Sequence, residues 1–151
     1  MTCSPNLDPS TVASFGDEWQ RFDQEAMDPL EAERIFKDYF SIFPWQQLPA
    51  DAEGFDMGCG SGRWARFVAP LVGLLHCIDP SSALAVARQT LADQPNVRFH
   101  KASVASSGLP PNSQDFGYSL GVLHHVPNTA AAIRSCTEML KPGAPLLLYL
   151  Y

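Results

Sequence analysis

The sequence predicts an α/β fold in which a doubly wound, mostly parallel sheet carries helices on both faces. Short apolar segments alternate with helical segments at close intervals, which is the pattern of right-handed βαβ units. A turn with glycine at every second position, residues 58–62, follows one apolar segment, as at the end of a buried parallel strand. The length of 151 residues fits a single domain around one core.

The composition excludes several classes of protein. Hydrophobic residues make up 46% of the chain and charged residues 17%, which is typical of a globular domain. The net charge of −6, with only ten scattered lysines and arginines, argues against a nucleic-acid partner. The chain has no signal-peptide pattern and no run of 18 apolar residues, so we expect a cytoplasmic protein without a membrane partner.

Cysteine spacing argues against a metal site and against a disulfide framework. The four cysteines are far apart and form no C-x-x-C pair: Cys3, Cys59, Cys77 and Cys136. We therefore expect reduced thiols and no bound metal.

Composition divides the chain into three segments. Residues 1–14 are rich in Ser, Thr, Pro and Asn, and we expect them to be mobile. Residues 15–50 are aromatic and acidic, and within them Leu30–Ile42 has the spacing of an amphipathic helix that Asp28 caps. Residues 51–151 contain the sheet.

Five strands and three helices are predicted in the sheet segment. The first strand carries Asp56 at its end, and the later strands are Leu74–Ile78, Val97–His100, Phe116–Leu120 and Pro145–Tyr151. The helices are Arg63–Ala69, a second that Ser81 or Ser82 caps, and Asn128–Leu140. A glycine at position 117 weakens the prediction of the fourth strand.

The glycine-rich turn predicts a place where a ligand lies against the backbone. Its pattern is Asp56-x-Gly58-x-Gly60-x-Gly62, and the next residue is Arg63. A dinucleotide fingerprint needs Gly or Ala at that position, so the turn does not fit a dinucleotide site. The acid before the glycines is better placed for a cationic amine than for a phosphate.

Two further features follow later strands, and the carboxyl ends of parallel strands form the edge where open sheets bind ligands. Asp79 follows Gly60 by nineteen residues, the separation at which an acid after the second strand reaches a ribose. The alternative is that Asp79 caps the helix that begins near Ser81. The segment Leu123-His124-His125-Val126 follows the fourth strand.

These features together resemble the class I S-adenosylmethionine-dependent methyltransferases, and Leu-His-His-Val is similar to a segment of their small-molecule group. The resemblance covers most of Glu53–Tyr151. It implies a Rossmann-like sheet, S-adenosylmethionine as the cofactor and methyl transfer to an unidentified small molecule. Such enzymes often cover the cofactor with an N-terminal helix, so residues 15–50 either pack on the core or form a lid with Trp19, Phe22 or Tyr39.

The resemblance also assigns roles to single residues. It implies that Asp79 binds the ribose and that Asp56 shapes the pocket for the methionine amine, with a helix cap as the alternative for Asp56. Pro80 is expected near the adenine. The remaining residues expected at the cofactor are Gly58, Cys59, Gly60, Gly62, Ser103, Val104 and Ser119. Cys59 is expected there as a small side chain and not as a nucleophile.

One position departs from the family's pattern. The family usually has an acid after the third strand that binds the adenine amino group, and this chain has Ser103 there. A hydroxyl accepts a hydrogen bond more weakly than a carboxylate. The loop that follows is also about two residues longer than usual before Leu109, which puts the adenine contact in question.

Either histidine of the Leu-His-His-Val segment is a candidate general base, because an imidazole near neutral pH can take a proton from a hydroxyl or amine. His125 matches the more regular histidine of the family. Adjacent histidines on an extended segment point to opposite sides, so we do not expect His124 and His125 to bind one metal ion.

The carboxyl terminus departs from the family in a second way. The family's sheet has seven strands, and this chain has five, ending on the apolar segment 146–151. An exposed apolar edge invites pairing with another chain. We expect a fragment, an incomplete gene product or a chain that self-associates or is completed by a partner.

Three functions remain open from sequence. The first is a methyltransferase, the second is a non-catalytic module that binds S-adenosylmethionine or S-adenosylhomocysteine, and the third is a nicotinamide-dependent oxidoreductase. Arg63 argues against the third. No pattern identifies the methyl acceptor.

Overall fold

The structure is a computed structural model that describes residues 6–21 and 27–151. Its centre is a parallel five-stranded sheet with the strand order β3-β2-β1-β4-β5. The strands are β1 (Glu53–Met57), β2 (Leu74–Ile78), β3 (Val97–His100), β4 (Phe116–Leu120) and β5 (Leu146–Tyr149). The predicted bounds of β2, β3 and β4 are confirmed, and β5 is shorter than predicted. The strand order reverses between β1 and β4, where doubly wound sheets bind ligands.

Two glycines let large aromatic rings lie flat against neighbouring strands. Gly54 pairs with Phe116, and Phe55 pairs with Gly117. A Cβ on either glycine would overlap the phenylalanine ring of its partner strand. Both phenylalanines are fully buried. Gly117 weakens β4 by propensity, but the sheet requires it because a larger residue would displace the Phe55 ring.

In the part of the chain that the structure describes, five α-helices surround the sheet: α1 (Pro9–Arg21), α2 (Pro29–Tyr39), α3 (Ala65–Val68), α4 (Ala83–Thr90) and α5 (Thr129–Met139). The predicted cap of α2 is confirmed, because Asp28 Oδ1 accepts a hydrogen bond from the Leu30 N–H at 3.1 Å. Asn128 caps α5 in the same way, accepting from the Ala131 N–H at 2.9 Å. Such caps typically stabilise a helix by about 1 kcal/mol.

Three helices differ from the prediction. α2 ends at Tyr39 and not at Ile42. α3 is shorter than the expected Arg63–Ala69, because the chain leaves the glycine turn through further turns and Pro70 lies in a short 3-10 helix (Ala69–Leu71). α1 begins at Pro9, inside the segment for which composition predicts mobility. The Asp8 carboxylate starts this helix by accepting a hydrogen bond from the Thr11 hydroxyl at 2.7 Å.

Hydrophobic cores lie on both faces of the sheet. On one face Phe36 of α2, Val68 of α3 and Leu84 of α4 belong to one buried cluster. On the other face Cys136 of α5 packs in a cluster with Phe55. The predicted α/β class with helices on both faces is therefore confirmed, and the cores hold the carboxyl ends of the strands in register.

Candidate ligand-binding site at the strand ends

A cavity of about 300 Å³ lies at the carboxyl ends of the strands. Its wall includes the stretches that follow four of them: residues 57–61, 79–81, 102–104 and 120–123. The volume is at the lower end of the range typical of small-molecule sites. The cavity occupies the edge of the sheet at which the sequence predicts the ligand.

The turn after β1 is fixed by its backbone. Its three glycines have φ between 54° and 83°, a region that is strained for residues with a Cβ. A Cβ on Gly58 would also lie 2.5 Å from Val122 Cγ1. The N–H groups of Gly58 and Cys59 donate to the Ile78 carbonyl at 2.7 and 3.1 Å. These bonds attach the turn to the end of β2.

The Asp79 carboxylate is a second fixed point of the site. Its Oδ2 accepts a hydrogen bond from the Gly60 N–H at 2.9 Å, and its Oδ1 accepts from the N–H and hydroxyl of Ser81 at 2.8 and 2.6 Å. A carboxylate offers about four acceptor positions, so these bonds leave about one for a ligand hydroxyl. Asp79 thus bonds the residues before α4 and also lines the cavity. Its role toward a ribose stays a prediction.

His124 and His125 lie in a short 3-10 helix (Leu123–His125) and not on an extended segment as predicted. Successive residues of such a helix are only about 120° apart, so the two rings come close, with centroids separated by 3.9 Å. His125 lines the cavity, and its Nε2 has no hydrogen-bond partner among the residues that the structure describes. Burial, together with the neighbouring His125, lowers the pKa of His124, which favours its neutral form.

Four aromatic side chains form one side of the cavity: Tyr39, Trp64, Tyr149 and Tyr151, here called the aromatic wall. Neighbouring rings contact one another, with centroids 5.4 Å apart for Trp64 and Tyr39, 5.1 Å for Tyr39 and Tyr149, and 5.7 Å for Tyr149 and Tyr151. The series continues from Tyr151 to His124 at 4.1 Å and to His125 at 6.0 Å. Ring surfaces of this kind suit a planar aromatic ligand.

Residues 7–15, here called the roof, run across the cavity and supply part of its lining. One end is held by Asn6, whose side-chain amide donates to the Asn128 carbonyl and whose Oδ1 accepts from the Asn128 N–H, both at 2.9 Å. Farther along, the Phe15 ring contacts the His125 ring, with centroids 5.0 Å apart. The roof includes the first half of α1 and is therefore attached to the start of α5 beside the cavity.

Comparison with known proteins shows the family of this chain. A family profile described as "Methyltransferase domain" matches residues 55–148, which is more than half of the chain. The match includes the glycine turn, Asp79 and both histidines. The chain belongs to the methyltransferase domain family.

The chain spans about half the length of the curated relatives that it matches. The ubiquinone biosynthesis O-methyltransferase of Albidiferax ferrireducens is 32% identical over 155 aligned residues, which cover 95% of this chain and 58% of that protein. The cyclase SpnF superimposes with a TM-score of 0.67 at 23% identity, covering 83% of this chain and 47% of that one. A SAM-dependent methyltransferase from Aquifex aeolicus gives a TM-score of 0.60 at 20% identity, covering 90% and 69%. These two structural likenesses concern the fold alone.

Eight of the predicted site residues line the cavity of the methyltransferase domain: Gly58, Cys59, Gly60, Asp79, Pro80, Ser103, Val104 and His125. Four predicted residues are not in its wall: Asp56, Gly62, Ser119 and His124. Ser119 is fully buried, and its hydroxyl donates to the Met57 carbonyl at 2.7 Å, which connects β4 to the end of β1. What each of the twelve does toward a ligand stays a prediction.

Asp56 lies on the opposite face of the sheet from Phe55 and Met57, because side chains alternate along a strand, and it is not in the cavity wall. Asp56 pairs with Tyr118 in the neighbouring strand, and both side chains are buried. Asp56 Oδ2 and the Tyr118 hydroxyl have no hydrogen-bond partner among the described residues. Burial raises the pKa of Asp56 to about 8; the adjacent Tyr118 hydroxyl opposes this shift, and the Asp79 charge adds to it. Asp56 is therefore mostly neutral at pH 7.

Cys59 lines the cavity but is poorly suited to nucleophilic chemistry. The neighbouring Cys77 side chain and burial raise the pKa of the Cys59 thiol well above its ordinary value. The thiolate, and not the thiol, is the nucleophile. The expectation that Cys59 is present for its small size stays a prediction.

Several cavity residues have no counterpart in the sequence-based prediction. The roof carries no readable spacing, and its composition points to mobility. Tyr149 and Tyr151 had a usable signal, since they lie at the carboxyl end of the fifth strand, where ligands bind. Of the predicted lid residues, Tyr39 lines the cavity, whereas Phe22 and the side chain of Trp19 lie outside the described part of the chain.

The described residues, 6–21 and 27–151, contain neither a membrane-spanning helix nor a metal-binding cluster. No helix among them is long and apolar enough to cross a membrane. They contain no group of three or more His, Cys, Asp or Glu side chains placed to bind a metal ion.

Proposed function

We propose that the chain is the cofactor-binding part of an S-adenosylmethionine-dependent methyltransferase that acts on a small molecule. The observation that carries this proposal is the backbone-fixed glycine turn bonded to Asp79 beside a cavity, within a methyltransferase domain. Because the turn lacks side chains, a ligand can lie directly against its backbone.

The residues around the turn fit the parts of this cofactor. The remaining acceptor position of Asp79 suits a ribose hydroxyl, and Pro80 and Val104 offer apolar surface to an adenine ring. Ser103 is buried, and its hydroxyl oxygen lies 3.0 Å from that of Ser106, so it can exchange this contact for one to the adenine. S-adenosylmethionine, when bound, supplies a methyl group bonded to a positively charged sulfur, and this sulfur is a good leaving group.

An oxygen atom of the small molecule is the proposed acceptor, in keeping with the name of the Albidiferax relative, ubiquinone biosynthesis O-methyltransferase. Alignment of donor and acceptor supplies much of the acceleration in a transfer of this kind. His125 lines the cavity, and its buried Nε2, which has no partner among the described residues, is the proposed acceptor for the proton of a hydroxyl acceptor. His124 is not in the cavity wall and is the weaker candidate.

Two expectations from sequence stay proposals. We propose a cytoplasmic protein, which cell fractionation tests. We also propose that copies associate through the edge at β5, where Leu150 is 42% exposed and Tyr151 is 77% exposed. Analytical ultracentrifugation over a range of protein concentrations tests this: a dimer that forms with rising concentration supports it, and a monomer throughout contradicts it.

Calorimetry with S-adenosylmethionine, S-adenosylhomocysteine and NAD tests the proposed cofactor. We expect both adenosyl compounds to bind and NAD not to bind. Asp79→Asn keeps the size of the side chain but removes its charge, and we expect it to weaken S-adenosylhomocysteine by about 1.5–3 kcal/mol. Tight binding of NAD alone contradicts the proposal, and unchanged affinity in Asp79→Asn shows that the ribose lies elsewhere. Methyl-transfer assays then separate an enzyme from a non-catalytic binding module.

A further inference from the structure

Three titratable side chains on neighbouring strands, here called the histidine network, are joined by hydrogen bonds outside the cavity wall. Glu53 Oε1 of β1 lies 2.8 Å from His76 Nε2 of β2, and His76 Nδ1 lies 2.9 Å from His100 Nε2 of β3. The register of the strands places the three side chains on one face of the sheet, which also carries Phe55. His76 is buried and His100 is half-buried.

Backbone hydrogen bonds connect the histidine network to the cavity. The His100 carbonyl accepts a hydrogen bond from the Asp79 N–H at 3.1 Å. The Asp79 carboxylate in turn accepts from the Gly60 N–H of the glycine turn at 2.9 Å. The segment that follows β3 contributes residues 102–104 to the cavity wall. A displacement at the end of β3 would therefore move both Asp79 and residues 102–104.

The two imidazole rings of the network can share only a limited number of protons. The hydrogen bond from His76 lowers the pKa of Glu53, which keeps this carboxyl ionised near pH 7, so His76 Nε2 carries the proton between them. Between His76 Nδ1 and His100 Nε2, one nitrogen must donate and the other must accept. The rings therefore stay bonded when both are neutral or when one is charged, but not when both are charged.

Other charged side chains lie near both ends of the network. At one end Asp115 Oδ2 accepts a hydrogen bond from the Glu53 N–H at 2.9 Å, and Lys141 pairs with Asp115 Oδ1 at 2.7 Å. At the other end Arg98 lies on the same face of β3 as His100, but it is exposed and donates to two backbone carbonyls at 3.0 Å. The charged residues that flank β1 and β3 in sequence, and those of α5, are also exposed: Asp51, Lys101, Arg134 and Glu138.

Acidification is expected to break the bond between the two rings. Burial, together with the neighbouring His76, lowers the pKa of His100 from its ordinary value of 6.5. The folded protein therefore takes up this proton less readily than the unfolded chain does. The stabilisation that neutral His100 contributes is complete above about pH 6.5 and is lost as the pH falls below that value.

We propose that the histidine network positions Asp79 and residues 102–104 for the cofactor, and that a second proton on its two rings at acidic pH weakens cofactor binding. This rests on the proposed methyltransferase function and adds a control by pH to the same site. His76 and His100 are positioning residues, because neither is in the cavity wall and both act through the ends of their strands.

Calorimetry with S-adenosylhomocysteine at pH 7.5 and pH 5.5 tests the proposal on the full chain. We expect the wild type to bind about fivefold more weakly, or worse, at the lower pH. His100→Gln keeps an amide that can bond to His76 but does not titrate, so it should bind as the wild type does at pH 7.5 and lose about twofold or less at pH 5.5. His100→Phe cannot form the bond and should bind about fivefold more weakly at both pH values.

Arg98→Gln is the matched control, because it removes a charge from the same face of β3 and takes no part in the network. It should lose as much affinity between the two pH values as the wild type does. Equal affinity of the wild type at both pH values overturns the proposal. A loss in folded His100→Gln that equals the loss in the wild type also overturns it. Thermal unfolding shows which variants are folded.

Nitrogen-15 NMR of the imidazole rings tests the network in the wild type without a cofactor. We expect His76 Nε2 to carry a proton throughout, and one of the two nitrogens between the rings to be unprotonated at pH 7.5. If His76 and His100 titrate independently of each other, the network does not share protons and the proposal is wrong. If the wild type binds no S-adenosylhomocysteine at pH 7.5, the proposed function itself fails, and its control by pH fails with it. Binding that does not depend on His100 overturns the present proposal alone.

Discussion

The two sides of the cavity are held in different ways. The glycine turn is fixed by main-chain bonds to Ile78 and by the carboxylate of Asp79, all within about 20 residues of one another. The aromatic wall and the roof are held by ring contacts and a few hydrogen bonds between elements that are distant in sequence. A backbone-determined site leaves a short pattern in the sequence, whereas a site made of ring contacts leaves none. The residues of the glycine turn can also be substituted less freely than those of the aromatic wall and the roof.

The largest effect is expected from Gly58→Ala on the glycine side. A Cβ there is strained by the φ of 82° and clashes with Val122. Strain and overpacking together should lower the free energy of unfolding by about 2–5 kcal/mol. Urea unfolding measures the loss. Gly108→Ala is the control, because its φ is 78° but nothing lies within 4 Å of the new Cβ. Equal losses in the two variants would show that the turn is not tightly packed.

The next-largest effect is expected from the buried carboxyl of Asp56, and it depends on pH. The pKa of Asp56 is raised from 3.8 to about 8, so the folded protein keeps a proton that the unfolded chain loses above about pH 4. The contribution of protonated Asp56 to the free energy of unfolding is largest at low pH and is lost as pH rises toward 8. Because each pKa unit corresponds to about 1.4 kcal/mol, Asp56→Asn should gain about 2–4 kcal/mol over the wild type between pH 5 and pH 8.

Urea unfolding at several pH values between 5 and 9 measures this difference. Tyr118→Phe is the control, because it removes the neighbouring hydroxyl but leaves the titrating carboxyl in place. That variant should keep the dependence on pH. If Asp56→Asn and the wild type respond to pH in the same way, Asp56 is ionised in the folded state and our description of this region is wrong.

The smallest effect is expected on the roof. Asn6→Ala removes two exposed hydrogen bonds to the backbone of Asn128. This should lower the free energy that holds the roof in place by about 0.5–1 kcal/mol. Hydrogen exchange of residues 9–15 should become faster, with little change in global stability. Asn128→Ser is the control, since the bonds to Asn6 involve only its backbone and serine can still cap α5. Unchanged exchange in Asn6→Ala would mean that these bonds do not hold the roof.

The same contrast explains what could be predicted from the sequence. The bounds of β2, β3 and β4 follow from short apolar runs with clear breaks, and the α/β class follows from their alternation with helices. Gly58, Gly60 and Asp79 were also predictable as cavity residues, because they depend on local backbone geometry at a strand end. These features need only short-range information.

The remaining features depend on tertiary contacts. The face of the sheet on which Asp56 lies follows from the alternation along β1, but its lack of a partner among the described residues depends on the packing around Tyr118. The 3-10 helix at His124 and His125 was missed because two adjacent histidines give no periodicity. The roof was missed because composition describes the propensity of a segment and not its contacts with Asn128 and His125.

A crystal structure of the chain with S-adenosylhomocysteine tests the proposed cofactor site most directly. We expect the ligand to lie along the glycine turn, with a ribose hydroxyl within hydrogen-bond distance of the Asp79 carboxylate and the adenine near Pro80. The homocysteine sulfur should face the aromatic wall. A ribose that contacts neither Asp79 nor the turn, or a ligand bound outside the cavity, would contradict the proposed site.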